Sequence, residues 1–105
     1  MQVLLPASSK TLSVSATSTA TAGAALPGLG TTVRVVNEGP NNAYFAVGAS
    51  TVAATVPTGT AAVTCTPVLA GEDVVFSRGD SETYISAITR ANQTATLIVQ
   101  TGEGQ

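Results

Sequence analysis

The chain has no histidine, no tryptophan and one cysteine, and only two tyrosines and two phenylalanines among its 105 residues. Each scarcity removes a class of function. Without histidine the commonest general base in catalysis is missing. Cys65 stands alone, so no intrachain disulfide and no thiolate metal cluster can form. Sugar binding by stacking needs exposed aromatics, and Tyr44 and Tyr84 lie on separate stretches, a thin platform. Charge is scarce as well: 10% of residues are charged, against roughly 25% in ordinary soluble domains.

The few charges are dispersed. Lys10, Arg34, Arg78 and Arg90 are the whole basic set and the net charge is -2, so the footprint for neutralising phosphates is missing and no nucleic-acid partner is expected. The carboxylates Glu72, Asp73, Asp80 and Glu82 fall at expected strand ends and turns. Paired carboxylates cleave glycosides, and clustered ones hold calcium. Here no spacing matches a calcium loop, and solvation accounts for each position. "GDSE" at residues 79–82 is superficially similar to a serine-esterase motif, but Ser81 has no histidine to activate it. No catalytic, cofactor-binding or metal residue is therefore expected, nor an enzyme. "MQVLLPASSK" has neither a basic start nor a long apolar run, so no signal peptide is expected. No run approaches the roughly 18 apolar residues of a membrane span.

What is present is small and β-prone. The hydrophobic set reaches 44% of the chain, much of it Ala and Val, with Thr and Ser at the polar positions. "TLSVSA" alternates, with Leu12, Val14 and Ala16 on one face, and reads as a first strand. Beyond it the run is low-complexity until "LPGLG" breaks the chain. Residues 1–30 are accordingly read as an extended arm or edge strand able to lie on a neighbouring subunit, and residues 31–105 as the sandwich domain.

From residue 31 short strands follow one another: "TTVRVV", "AYFAVG", "STVAATV", "AAVTC", "VLAGEDVVFS" with a turn at Gly71, "TYISAI" and "TATLIVQT". Turns such as "NEGPNN" separate them. The expected fold is all-β: an antiparallel β-sandwich, jelly-roll-like, with about eight short strands and an extended N-terminal arm. The alternation assigns Val33, Val35, Phe45, Val47, Val56, Val63, Val75, Ile85, Ile88, Leu97 and Val99 to the core. The strand edges carry few charges to guard them, which fits edges covered by another subunit.

Arg78-Gly79-Asp80 is the tripeptide that adhesion receptors recognise, and it lies at the tip of an expected hairpin between "VVFS" and "TYISAI". The same residues serve an ordinary turn, with Gly79 supplying positive φ and Asp80 and Ser81 capping amides, and the turn is the reading taken. "NQT" at residues 92–94 fits a glycosylation sequon and is likewise read as a turn.

"TTVRVVNEGPNNAYFAVG", "PVLAGEDVVF" and "TYISAITRANQTATLIVQTGEG", spanning about residues 31–104, resemble small all-β virion proteins of tailed bacteriophages. The resemblance implies a structural protein of the virion, without a cofactor, most simply a capsid decoration or cement protein. Such a protein clamps neighbouring copies of the major capsid protein or other virion proteins and forms a homo-oligomer, a trimer at local three-fold positions being the first expectation. Alternatives are a collar or tail component and a module binding a host-surface glycan or receptor. Candidate partner contacts are Leu12, Val14, Leu26, Leu29, Tyr44 and Tyr84.

Overall fold

The structure, a computed structural model, describes residues 10–21, 23–27, 31–58, 63, 65–79 and 81–102. Its strands are β1 (Lys10–Ala16), β2 (Ala24–Ala25), β3 (Thr32–Pro40), β4 (Ala43–Gly48), β5 (Thr66–Val68), β6 (Asp73–Ser77), β7 (Tyr84–Ile88) and β8 (Ala95–Gly102). They form two four-stranded sheets, ordered β1-β8-β3-β6 and β2-β7-β4-β5. Every pairing is antiparallel. The protein is an all-β sandwich.

The winding has a simple rule. β1 pairs with β8, β2 with β7, β3 with β6 and β4 with β5. The first half of the chain thus meets the second half in reverse order, and successive pairs alternate between the sheets.

Alternation decides which side chains meet between the sheets. β3 and β8 bury Val33, Val35, Leu97 and Val99 completely, and Phe45, Ile85 and Ala87 come from the facing sheet. Each large apolar side chain so buried contributes about 1.5–3 kcal/mol. Phe45 and Phe76, from opposite sheets, stack with ring centroids 5.7 Å apart. The chain's two phenylalanines therefore clasp the layers together.

One polar side chain organises an end of the sandwich. Asn37 is fully buried; its Nδ2 donates to the carbonyls of Asn41 and Val68, both at 2.9 Å. Its Oδ1 accepts from the Gly39 amide at 2.7 Å, and its backbone oxygen accepts from the Gly71 amide at 2.8 Å. The β3–β4 and β5–β6 turns are thereby tied to one residue. Both need left-handed backbone, at Gly39 (φ +87°) and Gly71 (φ +81°), where a Cβ would be strained.

Several expectations need correction. Val75 is not in the core: Val74 and Phe76 point inward and Val75 is 36% exposed. The run "VVF" is apolar throughout, so its phase is set only by pairing with β3, where Val35 faces Val74 and Val33 faces Phe76. "STVAATV" forms no strand; residues 52–58 are irregular and run past the outer face of the β2-β7-β4-β5 sheet. Val56 and Val63 are half-buried outside any strand, and Ile88 is half-buried on that outer face. "AAVTC" lies largely outside the described residues, with Val63 and Cys65 outside any strand. β6 and β7 make no hairpin, because they belong to different sheets.

Candidate functional site

The residues singled out from the sequence do not converge. Val14 and Leu26 are 6% and 7% exposed and belong to the molecule's own core, with Leu12 packed partly against it. The strand holding Leu12 and Val14 lies at the edge of one sheet, fully paired with β8 along its inner side. Leu29 lies outside the described residues.

Tyr44 and Tyr84 share the outer face of the second sheet, yet one pairing row on that face lies between theirs: Tyr44 faces Ile88, Ala46 faces Ser86, and Gly48 faces Tyr84. The middle row is covered. Ser86 Oγ accepts from the Ala54 amide at 3.0 Å and donates to the Thr21 carbonyl at 2.9 Å, and Ala46 and Ala54 are both buried. The Arg90 guanidinium lies 5.4 Å from the Tyr44 ring centroid and donates to the Pro57 carbonyl. Cation–π contact thus occupies the ring on which a sugar would stack.

Arg78 and Gly79 of the adhesion-like tripeptide follow the end of β6. The Arg78 amide donates to the Thr31 carbonyl at 2.8 Å, and the Gly79 amide donates to Glu82 Oε1 at 2.7 Å. Gly79 keeps an ordinary φ, so the left-handed conformation expected there occurs instead at Gly39 and Gly71. Asp80 lies outside the described residues.

What the structure does bring together was not anticipated. Where one sheet ends in β6 and the other in β5, the space between them opens to solvent. A cleft of about 280 Å³ lies there, lined by Phe45, Val47, Thr66, Val74, Phe76 and Glu82. Its walls are apolar, and the one carboxylate is held by the Gly79 amide. The other polar lining side chain is the Thr66 hydroxyl, and most of the cleft wall is the apolar surface of Phe45, Val47, Val74 and Phe76. Among the described residues Val75, at 36% exposure, and Leu69, at 50%, are the large hydrophobics left exposed.

β6 thus carries one apolar side chain, Val75, on its solvent face between Asp73 and Ser77, besides Val74 and Phe76 toward the core. The missed signal was that same "VVF" run, legible once both phases of the alternation are counted. Among the described residues no group of His, Cys, Asp and Glu is placed to hold a metal ion.

No protein-family model matches the chain, and no curated protein matches it. One similar solved structure comes from Bacillus endospore appendages, described as a novel family of disulfide-linked pili. It shares 13% identity over 98% of this chain and 91% of that one, with a TM-score of 0.45. A likeness of that degree does not extend to function.

Proposed function

We propose that the chain is a bacteriophage virion structural protein, a capsid decoration or cement protein that clamps neighbouring shell subunits, and that its sandwich is a jelly roll. The observation that carries this is the winding order, β1-β8-β3-β6 facing β2-β7-β4-β5. Pairing two halves of a chain in reverse across two sheets rolls up a long antiparallel ribbon, the architecture that recurs in viral capsid and lectin domains. The sparse charge adds support, because with 10% charged residues the surface is weakly repelled by copies of itself. Clamping then works by multivalence: each subunit lies over a junction between shell proteins, and modest contacts to several of them add without one strong site.

The lectin branch of the same architecture supplies the second reading, a host-glycan module. Arg90 over Tyr44 and the covered row between Tyr44 and Tyr84 weigh against it. Quantitative mass spectrometry of purified phage particles separates the readings. A copy number equal to that of the main shell protein, or a simple fraction of it, is expected for decoration. About a dozen copies moves the protein to the collar or tail, and absence from particles ends the structural reading.

A further inference from the structure

We propose that β6 pairs with β6 of a second copy, antiparallel and centred on Val75, so that the β1-β8-β3-β6 sheet continues through a two-fold axis. The first ground is the direction of the backbone. The Arg78 amide donates to the Thr31 carbonyl and the Asn37 amide donates to the Glu72 carbonyl. With the register Thr32↔Ser77 to Val36↔Asp73 between them, these two bonds bracket the β3–β6 ladder. Bonded pairs alternate in an antiparallel ladder. Val74 and Phe76 therefore direct their amides and carbonyls to β3, and Val75 directs both outward from the sheet. Among the described residues no strand pairs with that outer side.

The second ground is that "DVVFS" is complementary to itself about its midpoint. Placing Val75 opposite Val75 of the partner copy makes a bonded pair at the axis, with two mutual N–H···O bonds. On the outer face it covers the exposed Val75 side chain. On the inner face it sets Val74 beside the other copy's Phe76, at the open mouth of the cleft both residues line. Asp73 comes opposite a serine and not opposite another carboxylate, while its 3.1 Å ion pair with Arg34 of its own chain is left intact. Like charges directly opposite would destabilise such a pair, and this register has none.

The other edges offer less. β2 has two residues, and β5 has three with Pro67 at the centre, both blunted against pairing. β1 is long enough to close on itself about a two-fold, but its exposed side chains are Thr11, Ser13 and Ser15, so that pairing would cover no apolar one, and a β1–β6 contact is head-to-tail and generates rings or filaments.

Sedimentation equilibrium of the intact protein tests the pairing. A mass twice the 10.4 kDa of one chain is expected. Val75→Lys sets two ammonium groups face to face at the axis and should give monomer with an unchanged circular dichroism spectrum, since Val75 is exposed. Ser13→Lys, on exposed β1, should remain dimeric. In a Cys65→Ser background, Val75→Cys should oxidise to a covalent dimer, because paired strands hold the two Cα atoms about 5.5 Å apart, within disulfide reach. Asp73→Cys in the same background should not. Wild-type monomer up to the solubility limit, a trimer, a Val75→Lys variant that still dimerises, or loss of assembly in Ser13→Lys with no Val75→Cys crosslink would each overturn the β6–β6 pairing.

Discussion

The two sheets of this sandwich are built on different terms. The β1-β8-β3-β6 sheet has long strands, of 7, 8, 9 and 5 residues. It ends in β6, whose outer side no other strand joins among the described residues. The β2-β7-β4-β5 sheet has shorter strands, and its outer face is roofed by the segment containing Ala54, which binds Ser86, and by Thr21, whose hydroxyl accepts from the Ala87 amide at 2.9 Å. Its edges are two and three residues long. One sheet is closed off by its own chain. The other keeps an apolar strand at its rim. In a molecule with so few charges, this difference marks where a second chain can add to the fold without disturbing it.

The comparison breaks most completely if the N-terminal third is removed. Deleting residues 1–30 takes away β1 and β2 together with Val14, Ala16 and Leu26, all buried. Circular dichroism should show loss of the folded state. Retention of a folded sandwich by that truncation would mean that the long-stranded sheet does not depend on β1. Next in size is Phe45→Ala, which empties the inter-sheet clasp and should cost about 3–5 kcal/mol in urea unfolding. Asn37→Ala strands the carbonyls of Asn41 and Val68 and the amide of Gly39. A loss of about 2–3 kcal/mol is expected by the same measurement.

The long-stranded sheet also carries a flaw that can be mended. Thr101 is fully buried and its hydroxyl has no hydrogen-bond partner. Thr101→Val keeps the shape and removes the orphaned group, so unfolding should become harder by about 1 kcal/mol. The smallest effect belongs to Arg34→Ala. Its ion pair with Asp73 is open to water, with side-chain exposures of 44% and 49%, and its loss should cost under about 1 kcal/mol. A larger cost would mean that the outer face of this sheet is less open than its geometry implies.

Much of the fold was legible in the residues because alternation is a local signal. Leu12, Val14 and Ala16 against Thr11, Ser13 and Ser15 marked β1, and Val33, Val35, Phe45, Ile85, Leu97 and Val99 were placed in the core that buries them. Where the pattern lost its period, assignment depended on distant partners. The phase of "VVF" is fixed by β3, some forty residues earlier in the chain. "STVAATV" has strand composition but pairs with no strand, and instead hangs over a sheet through Ser86. β2, at two residues, is too short to carry any alternation. The expected partner contacts failed to gather for a related reason. Val14 and Leu26 were chosen as apolar residues of an arm, and the sandwich takes both into the chain's own core. Arg90 reaches Tyr44 on β4 from the β7–β8 connection, a contact no spacing announces.

The contrast between a sealed sheet and an extendable one turns on a single amide. Val75 N–H points away from β3, to the side that no strand joins among the described residues, whereas pairing through β6 would bury it in a hydrogen bond. Amide hydrogen exchange followed by NMR on concentrated protein measures it directly. The account predicts strong protection of the Val75 amide in the wild type, lost in Val75→Lys at residue 75, with the amides of β3 and β8 protected in both. A Val75 amide that exchanges at the rate of an open strand edge in the wild type, while its neighbours in β6 stay protected, would contradict it.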